Sequence, residues 1–169
     1  MKKFGKKKVV IGCASTFGIS IFVLLAAIGL AINLGWLPDT AALPASKINP
    51  RHISKLAQMG IIKSGEKVYY FYSAGMFSIS EDGNLFTDDR VISYQKFEGQ
   101  FDVYEATYDE IASIDLDTSG SWLDDSIINI TLKDGSWFML LVSKEADGDK
   151  EFHKRLTDLW EIRKMQAQE

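Results

Sequence analysis

The side chains that most often carry out catalysis are few in this sequence and lie far apart. There are two histidines, His52 and His153, and one cysteine, Cys13. Each histidine falls in a predicted helix, and Cys13 lies in an apolar stretch that offers no catalytic setting. Gly-x-Ser-x-Gly, phosphate-loop, dinucleotide-fingerprint and Cys-x-x-Cys motifs do not occur. The sequence therefore predicts a protein that is not an enzyme and needs no cofactor, with both histidines on the surface.

One acidic segment has the spacing of a cation site. Residues 115–120 read Asp-x-Asp-x-Ser-Gly, which copies the start of a calcium-binding loop. Such a loop needs a bidentate Glu at its twelfth position, where this chain has Ser126. Asp124 and Asp125 could bend back as ligands, so calcium stays open as an alternative. An acidic, solvated loop is the favoured interpretation, and no metal ligand is assigned.

Five apolar residues are the candidates for a binding surface. Trp122 and Leu123 lie in a loop rich in Gly, Ser and Asp, where Trp would be a good anchor for a partner. The alternative, which we favour for Trp122, is that it folds under and plugs the end of a barrel. Trp137, Met139 and Leu141 share one face of a strand whose other face is also apolar. We expect the short helix at residues 50–59 to cover them, or else a partner protein.

The N-terminal region predicts a membrane anchor. Residues 1–8 hold five lysines, and residues 9–37 are an uncharged run longer than the roughly 20 residues that span a bilayer. Trp36 lies where an interfacial aromatic is expected. A cleavable signal peptide is an alternative, since residues 41–45 resemble a cleavage region. A lipoprotein processed at Cys13 is disfavoured because the long apolar stretch follows that cysteine.

Charge predicts how the chain is oriented. Five lysines precede the apolar run, and Lys47, Arg51 and Lys55 follow it within about 20 residues. We therefore expect a single-pass protein of the inner (plasma) membrane, with its N-terminus in the cytoplasm and its C-terminal domain periplasmic or extracellular. Residues 38–169 hold 14 basic and 23 acidic residues, a balance that disfavours nucleic acid as a partner.

The remaining chain divides at a change of periodicity. Residues 38–63 predict a linker and a short amphipathic helix, capped by Asn49 and begun by Pro50. Residues 64–166 predict many short strands, with Asp-Gly turns at residues 82–83 and 134–135. A terminal helix over residues 149–166 follows, with Phe152, Leu156 and Trp160 as its buried stripe. We therefore expect an α+β, mostly-β fold in which this helix caps the strand layer.

Several segments of residues 64–162 resemble the bacterial pleckstrin-homology-like (PH/GRAM-like) domains. They are Asn-Leu-Phe-Thr-Asp-Asp-Arg-Val-Ile at 84–92, Tyr-x-x-Ile-x-x-Ile at 108–114, Ile-x-Ile at 128–130 before Asp-Gly, and the helix residues Phe152 and Leu156. The resemblance implies a small barrel of two near-orthogonal antiparallel sheets capped by the C-terminal helix. It implies no enzyme, and such domains bind lipids, proteins or nothing known.

The resemblance and the residues together predict a binding function. Headgroup binding in this fold relies on cations near the first hairpin, and residues 71–77 contain none. We therefore expect a non-enzymatic membrane protein whose acidic domain binds another protein, as an envelope accessory or a toxin-neutralising immunity protein would. The alternative function is a lipid-binding module acting at the membrane surface.

Overall fold

The chain folds into a mostly-β domain with helices at both ends. The computed structural model describes residues 6–75, 77–118, 120–121 and 124–166, with side chains from residue 18 onward. Its helices are α1 (Lys6–Asn33), α2 (Pro50–Gln58) and α3 (Gly148–Gln166). Its strands are β1 (Leu43–Pro44), β2 (Val68–Tyr72), β3 (Asp82–Thr87), β4 (Arg90–Phe97), β5 (Gln100–Thr107), β6 (Ile111–Asp117), β7 (Ser126–Leu132) and β8 (Trp137–Val142).

The strands form two antiparallel sheets rather than one closed barrel. The first sheet has the order β1-β2-β3-β4-β5, and the second has the order β6-β7-β8. Within the described residues the two sheets are separate, so the closed barrel that we expected is not found. Strands β2 to β5 form one meander, strands β6 to β8 form a second, and α3 follows them. This matches the two-sheet arrangement that the sequence resemblance implied. The fold is thus α+β and mostly β.

One of the two predicted Asp-Gly turns is confirmed and the other is wrong. Gly135 has φ +86° in the hairpin between β7 and β8, where Leu132 N donates to Ser136 O. Asp82 and Gly83 instead lie inside β3, paired with Gln95 and Tyr94 of β4. Residues 77–80, between β2 and β3, form no strand, and residue 76 lies outside the described part.

The first sheet is buried on both faces over β2, β3 and the first part of β4. One face contributes Tyr70, Phe86 and Val91 to a core shared with the second sheet and α3. The opposite face contributes Phe71, Leu85 and other residues to a second core beneath α2 and the segment after it. Strands covered on both sides explain the near-continuous apolar and aromatic run at residues 68–72.

The C-terminal helix packs on the core as predicted, over most of its expected stripe. Phe152 and Leu156 are fully buried, and the Phe152 ring meets Phe86 edge to face with 5.0 Å between centroids. Trp160 is only partly buried at the rim of this core, and the Lys164 ammonium lies 5.3 Å from its ring centroid. The turns of α3 that carry Phe152 and Leu156 therefore close the core, and the turn that carries Trp160 lies at its rim.

Helix α2 begins at Pro50 with Asn49 as its cap, as predicted, because the Asn49 side chain accepts a hydrogen bond from Arg51 N. Its buried residues are Leu56 and His52. His52 was expected on the surface, so that prediction is wrong. The ring is buried against Phe71, with 6.3 Å between centroids, because α2 lies on the second core of the first sheet.

The apolar N-terminal run is helical, since α1 reaches from Lys6 to Asn33. Among the residues whose side chains the structure describes, no helix is both long and apolar enough to cross a membrane. Residues 9–17 of the predicted membrane segment 9–37 lie outside that group.

Candidate functional site

The outer face of β8 is the candidate binding surface. Trp137, Met139 and Leu141 are 62%, 41% and 39% exposed, and they alternate with buried residues that face the core. We call these three residues the β8 row. The face was expected to be covered by the helix at residues 50–59, and this prediction is wrong because α2 packs on the other sheet. The two remaining candidates, Trp122 and Leu123, lie outside the described residues.

The β8 row also belongs to the edge strand of the second sheet. Leu132 N donates to Ser136 O, which makes residues 132 and 136 a hydrogen-bonded pair next to the hairpin. Pairing alternates along an antiparallel ladder, so Trp137, Met139 and Leu141 direct their backbone N–H and C=O groups away from β7. Edge groups of this kind are a template for an added strand.

A polar contact joins the far end of this edge to the first sheet. The Asn84 side chain, buried in β3, donates from Nδ2 to the Leu141 carbonyl oxygen at 2.9 Å. Ser93 Oγ donates to Asn84 Oδ1 at 2.8 Å and fixes the orientation of the amide. The outward carbonyl of Leu141 is therefore occupied, and the edge is bridged to β3 at that residue.

A groove lies beside the other end of the β8 row. It has a volume of about 260 Å³ and is lined by Ser93, Gln95, Tyr104, Trp137, Phe138 and Met139. The Tyr104 ring stacks over Phe138, with centroids 6.5 Å apart and an interplanar angle of 18°. The groove combines apolar walls with two polar side chains from β4, a lining suited to a side chain of a bound segment.

In the loop between β2 and β3, where the sequence resemblance would place cations for a headgroup, backbone N–H groups are paired with the protein's own carboxylates. Gly75 N donates to Asp82 Oδ1 at 2.9 Å, and Phe77 N donates to Glu81 Oε2 at 3.4 Å. Ser73 Oγ donates to the Asp82 carbonyl oxygen at 2.7 Å. An incoming anion would meet these negative charges, in keeping with the absence of basic residues from this loop.

The buried cation of the domain is engaged in structural contacts. Arg90 Nε and Nη2 donate to the two carboxylate oxygens of Glu66 at 2.9 and 3.0 Å, and Nη1 contacts Glu105. Burial favours the neutral form of Glu66, but the hydrogen bonds from Arg90 and its neighbours outweigh this and lower the pKa of Glu66 to about 2. Arg90 belongs to the Arg-Val-Ile segment on which the sequence resemblance rests. It links β4 to the segment before β2, and its side-chain nitrogens are engaged in these contacts rather than directed at a ligand pocket.

The acidic segment considered for calcium is partly described. The Tyr72 hydroxyl donates to Asp125 Oδ2 at 3.0 Å, and partial burial raises the pKa of Asp125. Asp124 Oδ2 accepts from Ser121 N at 2.9 Å. In the part of the chain that the structure describes, no three His, Cys, Asp or Glu side chains come together as a metal site. Ser119 lies outside that part.

Comparison with models of protein families and with curated proteins finds no match. Among solved structures, the chain is similar to a PH-domain-containing protein of Exiguobacterium sibiricum, at 19% identity and a TM-score of 0.49 over 68% of this chain and 61% of that one. It thus spans less than two thirds of that protein's length.

Two proteins of Shewanella are also similar. One is a DUF1696-family protein with a pleckstrin-homology domain from Shewanella loihica, at 16% identity and a TM-score of 0.44 over 67% of this chain and 97% of that one. The other is a pleckstrin-homology domain from Shewanella amazonensis, at 14% identity and a TM-score of 0.43 over 58% of this chain and 77% of that one. Similarity at this level assigns no ligand and no partner to the present chain.

Proposed function

We propose that this chain is a non-enzymatic, membrane-anchored protein whose PH-like domain binds an extended segment of another protein along β8. The observation that carries the proposal is the β8 row, because its three large apolar side chains are exposed on a strand whose backbone edge is also directed outward. Side-chain pockets and main-chain hydrogen bonds are the two components of strand addition to a sheet edge. A partner in the cell envelope and a toxin neutralised by an immunity protein both fit this mode.

Charge indicates the chemistry of the partner. Residues 64–169 hold ten basic and 22 acidic residues, so the domain attracts cationic surfaces and repels anionic ones. The groove beside Trp137 and Met139 accepts an apolar side chain. We therefore expect a segment in which apolar residues alternate with positions that include Lys or Arg.

The exposed surface of α1 supports the proposed anchor. Phe22, Val23, Leu24 and Leu25 are consecutive residues, each 59–73% exposed, and four consecutive residues of an α-helix point to all sides. A helix at the surface of a soluble domain has one apolar stripe instead. Apolar side chains all round a helix are stable in hydrocarbon, so we place α1 from residue 9 onward in the bilayer, with the lysines of residues 1–8 outside it.

Site-specific photocrosslinking in cells tests the proposed binding mode. A photoreactive amino acid replaces Gln95, an exposed residue that lines the groove, in the full chain. We expect a crosslink to a second protein, and we expect Met139→Pro to remove it. Met139 N–H points away from β7, so proline removes an outward donor and spares the ladder. Circular dichroism of this variant should match that of the wild type.

The same photoreactive residue at Lys154, exposed on α3, is the control position. A crosslink at Gln95 that survives Met139→Pro would overturn strand addition. Equal crosslinking from Gln95 and Lys154 would overturn the assignment of the partner to β8.

A further inference from the structure

A single asparagine connects the end of α1 to the start of α2. Asn49 Nδ2 donates to the Asn33 carbonyl oxygen at 3.0 Å, and Asn49 Oδ1 accepts from Arg51 N at 3.0 Å. Gly35 has φ +68°, and a Cβ there would lie 2.6 Å from Asn49 Cγ. Glycine is thus required both by the backbone conformation and by the close approach. The first turn of α2 is thereby held beside the point where α1 ends.

A pocket of about 460 Å³ lies at this junction. Arg51 and Lys55, both exposed, line it from one face of α2, since residues four apart on a helix are neighbours. Trp36 lines it from the chain that leaves α1, and Ile79 lines it from the loop between β2 and β3. We call this cavity the junction pocket. It presents a guanidinium and an ammonium group within one helical turn of each other.

The pocket lies in a locally basic segment of the chain, and two of that segment's basic residues, Arg51 and Lys55, line it. Residues 38–63 hold four basic residues and one acidic residue, in contrast to the acidic excess of residues 64–169. The positive segment directly follows the apolar helix, and basic residues placed there attract anionic lipid. The net charge of the whole domain conceals this local reversal of sign.

Exposed aromatic residues flank the same pocket. Trp36 is 63% exposed, and Phe77, which directly precedes the lining residue Ser78, is 69% exposed. Aromatic side chains of this kind are enriched at the depth of lipid headgroups. A free anion in solution would make no contact with these aromatic side chains, whereas a lipid in the headgroup layer would, and this favours a lipid as the occupant.

We propose that the junction pocket binds the phosphate of an anionic glycerophospholipid in the leaflet next to the domain. The proposal rests on the membrane anchor proposed above. Arg51 donates a forked pair of hydrogen bonds to the phosphate, Lys55 contributes a second positive charge, and Trp36 and Phe77 enter the headgroup layer. The bound lipid holds α2 against the membrane and so fixes how the domain is presented.

Native mass spectrometry of the full chain in a non-ionic detergent tests the site. The probes are short-chain phosphatidylglycerol, short-chain phosphatidylcholine and free glycerol 1-phosphate. We expect saturable retention of phosphatidylglycerol, and we expect Arg51→Gln with Lys55→Gln to weaken it about tenfold or more. Lys96→Gln with Lys133→Gln is the matched control, since it removes two exposed cations of the domain and should leave retention unchanged.

Equal retention of phosphatidylcholine, tight binding of free glycerol 1-phosphate, or equal loss in the two double variants would each overturn the proposal. The anchor is tested separately by reconstituting the full chain into pure phosphatidylcholine vesicles and washing them at high pH. Release of the chain by the wash contradicts the anchor. If the chain stays in these neutral vesicles but does not bind phosphatidylglycerol selectively, the anchor stands and the proposed lipid binding at the junction pocket is contradicted.

Discussion

The close approach of the Tyr94 ring to the backbone of Gly83, inside the first sheet, gives the most direct stability prediction. Gly83 in β3 lies opposite Tyr94 in β4, and a Cβ at position 83 would lie 2.4 Å from Tyr94 Oη and 2.5 Å from Cζ. Tyr94 is 1% exposed, and its hydroxyl donates to the Ile79 carbonyl oxygen at 2.6 Å. In Gly83→Ala the ring must therefore move and give up this buried hydrogen bond.

The size of the effect follows from two costs. Forcing an extra methyl group into a packed core costs about 1–3 kcal/mol. An unsatisfied buried hydroxyl and carbonyl add about 1–3 kcal/mol. We expect Gly83→Ala to lower the free energy of unfolding by about 2–6 kcal/mol, a large part of the roughly 5–15 kcal/mol of a typical domain. Without the ring, the same change would be neutral or stabilising, because alanine restricts the unfolded chain.

Urea unfolding of the full chain in non-ionic detergent, followed by circular dichroism, measures this cost. The matched background is Tyr94→Leu, which is itself destabilising but removes the obstructing ring. In that background we expect Gly83→Ala to cost less than about 1 kcal/mol, so that the double-mutant cycle shows strong coupling. An unchanged midpoint for Gly83→Ala alone, or an equal cost in both backgrounds, would refute the steric explanation.

Four further predictions concern the core, the titrating groups and the orientation. Phe152→Ala should lower the unfolding free energy by about 3–5 kcal/mol, whereas Trp160→Ala, at a partly buried site, should cost clearly less in the same urea assay. Equal costs would contradict the rim position of Trp160. Burial lowers the pKa of His52, and this effect is larger than the opposite effect of Asp39 and of the backbone hydrogen bonds. His52 is therefore protonated more readily in the unfolded chain than in the folded one. The urea midpoint should fall as the pH drops from 7 to 5. The His153→Gln variant should retain this pH dependence, and the His52→Gln variant should show a weaker one. The reverse pattern would contradict the assignment of the pH dependence to His52. With a pKa of about 2 in the folded state, Glu66 should stabilise the domain above pH 4.5 and lose this contribution as the pH falls toward 2, and Glu66→Gln should flatten the stability profile over that range. Protease added to intact spheroplasts should digest the domain, and protection until lysis would reverse the predicted orientation.

Local patterns predicted those elements whose causes are themselves local. The Asn49-Pro50 start of α2 and the Asp-Gly turn before β8 both satisfy nearby backbone groups, and the structure shows both. β8 is apolar on both faces, and its period-two alternation is visible only in its burial. The alternation of side chains along a strand predicted that the β8 row shares one face, but whether that face is covered depends on the placement of other elements.

The errors arose where a residue serves a distant contact. Gly83 resembled a turn glycine, yet it accommodates the Tyr94 ring across the strand pair. Residues 38–49 resembled a plain linker, although Leu43–Pro44 adds a short strand beside Phe71 and Tyr70. His52 resembled a surface residue because its burial depends on α2 lying on the first sheet. The spacing of residues within one segment cannot predict these contacts, because each of them joins two segments that are distant in the sequence.

The two proposed surfaces have one cause in the path of the chain. Asn49 ties α2 to the end of α1, and Leu56 and His52 bury α2 on the second core of the first sheet. A nine-residue helix held at both places cannot also reach the outer face of β8. The attachment that puts Arg51 beside the proposed membrane surface is therefore what leaves the β8 row uncovered. A lipid that fixes α2 at the junction would keep that row available to a partner.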